Sequence, residues 1–135
     1  MEKASIGIIG LGVMGHNLAL NMERNGFTVV GYDLDPLKTK DFLEGLAKGK
    51  KIMGAETPEI FMAALEKPRR ILIMVPAGSA VDSAIAHLKP HMQRGDILID
   101  CGNSFFMDTE RRNQELVPQG FNYVGMGVSG GEEGR

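Results

Sequence analysis

The chain has 135 residues, one domain's worth of length, with 15 Lys and Arg against 17 Asp and Glu. That near balance gives no electrostatic case for a nucleic-acid or membrane partner, and no run approaches the ~20 consecutive apolar residues of a membrane span. The single cysteine, Cys101, excludes an internal disulfide framework and a multi-cysteine zinc site. The start is not that of a signal peptide, because Glu2 and Lys3 lead at once into a short apolar run. Cytoplasm is therefore the expected compartment.

Strand and helix signals alternate along the chain. Residues 5–10 read as a buried strand centred on Ile6, Ile8 and Ile9. Residues 13–25 read as a helix with Met14, Leu18 and Met22 on one face, ended by Gly26. Residues 27–33 form the second strand. Asp35 and Pro36 open a helix running to about Lys48, as N-cap and first-turn residue. Thr57 caps another, running to about Glu66. Residues 70–75 and 97–100 are strongly apolar strands, separated by a helix over 79–88. A helix over 109–117 and a strand over 121–125 complete the pattern.

Short apolar strands of this kind are buried on both faces, as in a parallel sheet covered by helices. The expected fold class is α/β, doubly wound and Rossmann-like, with a mostly parallel sheet of about five or six strands and helices on both faces. The whole chain, 1–135, reads as one dinucleotide-binding domain.

The strongest local signal is Gly10-Leu11-Gly12-Val13-Met14-Gly15, which has G-x-G-x-x-G spacing. It leaves the first strand and enters the first helix, the context in which such a string binds a dinucleotide. Gly10 permits the sharp turn. Gly12 lets a pyrophosphate approach the backbone, and Gly15 lets the helix pack closely on the strand. The helix N-terminus supplies unpaired N–H groups for the phosphates. A ligand-free glycine turn is the alternative.

Asp33 stands 18 positions after Gly15, at the end of the second strand. A carboxylate there accepts hydrogen bonds from ribose hydroxyls and repels a 2′-phosphate. The next residues, Leu34 and Asp35, bring no arginine, and Lys38 is the nearest cation. These residues favour NAD, with NADP left open. Capping of the next helix is the competing role; it fits Asp35 better than Asp33.

Four further segments complete a recognisable set. They are 68–78 (ending Val75-Pro76-Ala77-Gly78), 95–104 (ending Gly102-Asn103-Ser104), 108–112, and Gly127-Val128-Ser129-Gly130-Gly131-Glu132-Glu133-Gly134. Taken in order with the glycine turn, they resemble the decarboxylating 6-phosphogluconate dehydrogenases over essentially the whole chain. The resemblance implies oxidation of 6-phosphogluconate at C3, loss of CO2 and formation of ribulose 5-phosphate in the pentose phosphate pathway. It also implies coenzyme contacts from Gly10–Gly15, Asp33, Leu34, Asp35, Val75, Pro76, Ala77 and Asn103. Substrate contacts are implied for Asn103, Ser129, Gly130 and Gly131. Asn103 offers donor and acceptor to a hydroxyl-rich acid, and the Ser-Gly-Gly backbone is open to an anion.

The sequence departs from the family in several places. NADP-dependent members usually read Asn-Arg-Thr where Asp33-Leu34-Asp35 stands, and lysine where Pro76 stands. Cys101 replaces a common glycine, and Arg135 a common alanine. The family continues into a helical domain carrying its lysine base and forming its homodimer, and that domain is absent from this sequence. No residue here is assigned a catalytic role: His16, His87 and His91 read as surface histidines. The expectation is a coenzyme-binding part that does not turn over 6-phosphogluconate alone. The alternatives are a 3-hydroxyisobutyrate-type dehydrogenase domain and a stand-alone, non-catalytic NAD-binding module.

Overall fold

A computed structural model describes residues 3–45, 49–76, 78–101 and 106–125. Along the chain these form β1 (Ile6–Ile9), α1 (Val13–Arg24), β2 (Val29–Tyr32), α2 (Pro36–Glu44), β3 (Ile52–Ala55) and α3 (Pro58–Ala63). Next come β4 (Arg70–Ile73), α4 (Ser79–Leu88), β5 (Ile97–Asp100), α5 (Phe106–Leu116) and β6 (Asn122–Gly125). The strands make one six-stranded sheet in the order β3-β2-β1-β4-β5-β6, with every neighbouring pair parallel. The order reverses between β1 and β4, the place where a doubly wound sheet opens its crevice at the strand C-termini.

Alternation along each strand divides the core between two faces. Ile6, Ile8, Val29 and Leu72 face α1 and α2, packing with Ala19 and Phe42. Ile9, Val30, Tyr32, Ile71, Ile73 and Leu98 belong to the opposite cluster, with Phe61 and Met62 of α3, Val81, Ala84, Ile85 and Leu88 of α4, and Leu116 of α5. The expected doubly wound α/β architecture is the one observed.

Three local differences from the sequence reading have physical causes. The first is β3, which Ile52-Met53-Gly54-Ala55 scarcely announces, since it holds one β-branched residue. It is an edge strand built by its neighbours: Val29 to Tyr32 pair with it residue by residue. Leu43 of α2 lies so close over Gly54 that a side chain there would collide with it. The second is the extent of the helices. α2 stops at Glu44 with Gly45 as its C-cap, rather than near Lys48. α3 stops at Ala63 because the next residues turn to pair with Ala4. The Ala4 N–H donates to the Ala64 carbonyl at 2.7 Å and the Glu66 N–H to the Ala4 carbonyl at 3.0 Å. The third is α5, which begins at Phe106, before Thr109. The expected caps are in place: Asp35 accepts from the Leu37 N–H at 3.0 Å and Thr57 from the Ile60 N–H at 3.1 Å.

The edge of the sheet opposite the crevice, where the strands begin, is closed by a buried ion pair. Arg69 Nη1 donates to Asp96 Oδ2 at 3.0 Å, and Arg69 Nε to the Met62 carbonyl at 2.9 Å. Asp96 also accepts from the backbone N–H groups of Arg69 and Gln93. Removing one partner of such a pair strands the other charge. Asp96→Ala should therefore lower unfolding free energy by about 3–5 kcal/mol, read as a fall in the urea midpoint; an unchanged midpoint would contradict this role.

Candidate functional site

The turn from β1 into α1 is held by backbone contacts that exclude side chains. Gly10 has φ +105°, and a Cβ there would lie 2.8 Å from the Met74 carbonyl carbon and 3.1 Å from Val75 Cγ1. A Cβ on Gly15 would overlap the Gly10 carbonyl oxygen. The first turn of α1 is thus seated directly on the end of β1. Gly12 is different. It is the N-cap of α1, with no side-chain cap, and a Cβ there would meet nothing within 4 Å. Closeness governs Gly10 and Gly15, and open space governs Gly12, which is where a group can approach the helix N-terminus.

Asp33 has a part in this geometry that spacing alone does not reveal. Its Oδ2 accepts from the Leu11 N–H at 2.7 Å and its Oδ1 from the Asp35 N–H at 2.9 Å. The carboxylate therefore ties the end of β2 to the glycine turn. Each oxygen keeps a further lone pair for a hydroxyl donor. Leu11 is 1% exposed and packs under the turn, whereas Val13 and Met14 are exposed. Leu34 is exposed beside Asp33, and Asp35 caps α2.

Val75 and Pro76 follow β4, next to β1 in the sheet. The turn, the Asp33–Asp35 segment and the Val75–Pro76 segment therefore share one edge. Ala77, Asn103, Ser129, Gly130 and Gly131 lie outside the described residues. Two histidines make contacts at the start of or within their own helices. His16 Nδ1 lies 3.0 Å from the Gly12 carbonyl, with its ring edge-on to Phe42 at 4.8 Å, and His87 Nδ1 lies 2.8 Å from the Ser83 carbonyl. Cys101 is buried. Burial, and then the Asp100 carboxylate, push its thiol up to about 11, which keeps it out of the reactive thiolate form at neutral pH.

A polar cluster at the same end of the sheet has no counterpart in the sequence reading. Arg112 of α5 is 1% exposed. It reaches Asp82 of α4, the Gly78 carbonyl and Asp100 at the end of β5. Tyr123 of β6 donates to Asp100 Oδ2 at 2.9 Å. Burial, followed by that hydrogen bond, raises the Tyr123 hydroxyl to about 12. The available signal was an aspartate ending an otherwise apolar strand. Among the described residues, no group of three or more His, Cys, Asp or Glu side chains is arranged to hold a metal ion. No helix among them is long and apolar enough to cross a membrane.

A family model described as the NAD binding domain of 6-phosphogluconate dehydrogenase matches residues 5–135. The chain belongs to this family. It is 53% identical over 134 residues to the NADP(+)-dependent, decarboxylating 6-phosphogluconate dehydrogenase of Bacillus subtilis, covering 99% of this chain and 28% of that relative. The decarboxylating enzyme of Escherichia coli K12 is 52% identical over the same length, again with 28% of the relative covered. The solved Plasmodium falciparum 6-phosphogluconate dehydrogenase superposes with a TM-score of 0.85 at 37% identity, over 96% of this chain and 28% of that one. The Mycobacterium tuberculosis 3-hydroxyisobutyrate dehydrogenase (TM-score 0.76, 20% identity, 96% of this chain and 42% of that one) shares the fold. The chain thus spans 28% of the length of these 6-phosphogluconate dehydrogenases.

The two kinds of glycine are separable by experiment. Gly15→Ala forces the helix off the strand and should cost about 1–3 kcal/mol. Gly12→Ser enters open space at an N-cap, where serine is at least as good as glycine, and should change stability by less than about 0.5 kcal/mol. Chemical denaturation of the two variants checks this; equal losses would contradict it.

Proposed function

We propose that this chain is the coenzyme-binding part of a decarboxylating 6-phosphogluconate dehydrogenase that takes NAD in preference to NADP. The reaction is oxidation of 6-phosphogluconate to ribulose 5-phosphate in the cytoplasmic pentose phosphate pathway, by a homodimer in its full-length form. The observation that carries the reading is the open approach at Gly12, beside the Asp33 carboxylate, at the C-terminal edge of a parallel sheet.

The residues present fit a dinucleotide. The N-terminal N–H groups of α1 face the open side of the turn and suit a pyrophosphate. Asp33 receives ribose hydroxyls on the lone pairs that Leu11 and Asp35 leave. Its charge, joined by Asp35, disfavours a 2′-phosphate, and no arginine stands between Asp33 and Lys38 to offset it. Leu34 gives exposed apolar surface for a base. This is a departure from the Bacillus subtilis relative, whose name makes it NADP(+)-dependent. By their family resemblance, Val75, Pro76, Ala77 and Asn103 are assigned further coenzyme contacts, and Asn103, Ser129, Gly130 and Gly131 the sugar acid. The bound coenzyme supplies a hydride acceptor.

Removing the hydroxyl proton of the substrate requires a positioned base, and the Nδ1 atoms of His16 and His87 lie against carbonyls at the start of or within their own helices. The isolated chain is read as a binder of coenzyme without turnover. A 3-hydroxyisobutyrate-type substrate is less well supported, because that likeness extends to the fold alone.

Calorimetric titration with NAD and NADP tests the reading. NAD should bind more tightly, and Gly12→Ser should weaken it at least about tenfold. Asp33→Asn keeps an acceptor but removes the charge, and should narrow the NAD advantage about tenfold. Tighter binding of NADP, or an unchanged ratio in Asp33→Asn, would overturn the coenzyme assignment. Absence of binding to either would overturn the function.

A further inference from the structure

A buried arginine needs its charge and its five donors satisfied in place. Arg112 meets that requirement through contacts with Asp82, the Gly78 carbonyl and Asp100. Its Nε donates to Asp82 Oδ1 at 2.8 Å and its Nη2 to Asp82 Oδ2 at 3.2 Å, a forked pair with the first turn of α4. The same Nη2 donates to the Gly78 carbonyl at 3.1 Å. Nη1 lies 3.6 Å from Asp100 Oδ2, at the end of β5, and that oxygen also holds the Tyr123 hydroxyl of β6. Arg112 thereby draws Asp82 far below the usual carboxylate range, to about 2, although partial burial opposes the shift.

The position of these contacts matters. Gly78 links β4 to α4 with φ +95° and has no side-chain cap to fix it. Its carbonyl also receives the Val81 N–H at 3.1 Å, closing the first turn of α4. The guanidinium thus holds the β4–α4 connection and the end of β5 in one register. A dinucleotide in a doubly wound sheet lies across the reversal of strand order. One half runs from the glycine turn towards Asp33 just after β2, and the other runs over the ends of β4 and β5. Arg112 braces the second half's floor and leaves the first untouched.

We infer that Arg112 is a positioning residue that shapes the β4–β5 side of the coenzyme groove from beneath, through Gly78, Asp82 and Asp100. The inference rests on the dinucleotide reading given above. Lysine is a poor substitute, because its point charge lacks the planar fork that meets both oxygens of Asp82 while reaching the Gly78 carbonyl.

The test uses the 135-residue chain with two probes, NAD and ADP. ADP carries only the adenosine half and its phosphates. Arg112→Lys should weaken NAD about tenfold and ADP less than about twofold. Asp82→Asn keeps the size of the side chain and one oxygen acceptor for Arg112 but breaks the fork, and should move the NAD-to-ADP ratio in the same direction by a smaller factor. Thermal unfolding reports folding of each variant; where Arg112→Lys fails to fold, the ratio in Asp82→Asn decides. Equal loss of both ligands, or no change in either, is the behaviour of a purely structural arginine and would overturn the inference alone. A wild-type chain that binds neither probe would overturn the dinucleotide reading and this inference with it.

Discussion

The contact between the Gly10 carbonyl and the backbone of Gly15 is the constraint on which the site depends. No side chain fits between them, so the first turn of α1 is pressed against the end of β1 and its N-terminus opens over the sheet edge. That placement turns a general property of helices, unpaired N–H groups at their start, into a located one. Asp33 then braces the turn from the neighbouring strand, through the Leu11 N–H. Val75 and the Met74 backbone close on Gly10 from the other side. Three strand ends are locked to one another before any ligand is considered, which lowers the ordering cost of binding.

Polar groups are segregated within an otherwise apolar sheet. The strands are short and largely buried, and their charged side chains gather at the two ends. Arg69 and Asp96 close the end where strands begin. Arg112, Asp82, Asp100 and Tyr123 occupy the end where strands finish. In both, a buried arginine is paired with carboxylate and backbone carbonyl oxygens, Arg69 with Asp96 and the Met62 carbonyl and Arg112 with Asp82, Asp100 and the Gly78 carbonyl, which offsets the desolvation cost of the charge. The two clusters differ in what surrounds them. The first lies under loops far from the glycine turn, and the second supports the edge that carries it.

Much of the architecture was legible because strand and helix periods differ and punctuation is strong. Ile6 to Ile9, Ile71 to Ile73 and Leu98 to Ile99 are apolar runs that a helix of that length would not need, and Asp35-Pro36 and Thr57-Pro58 mark helix starts. β3 was not legible, because Met53, Gly54 and Ala55 owe their extended form to β2 and to Leu43 above them. The end of α3 was hidden for a similar reason, as its cause is Ala4, some sixty residues away. Spacing marked Gly10, Gly12, Gly15 and Asp33 as candidates, and the fold brings them to one edge. Spacing could not show that Asp33 bonds Leu11, since that contact exists only once β1 and β2 are neighbours. Arg112 sits in a helix rich in charge, where one arginine reads like the next, and only packing separates it from the exposed Arg111.

The account stands or falls on whether the glycine turn is where a dinucleotide lands. Backbone amide resonances of the isotopically labelled chain, followed during titration with NAD, answer this residue by residue. Saturable shifts should be largest from Gly10 to Gly15 and from Asp33 to Asp35, with smaller ones at Val75 and Gly78. Shifts that leave the Gly10–Gly15 amides unmoved while appearing elsewhere, or no shifts at all, would contradict it.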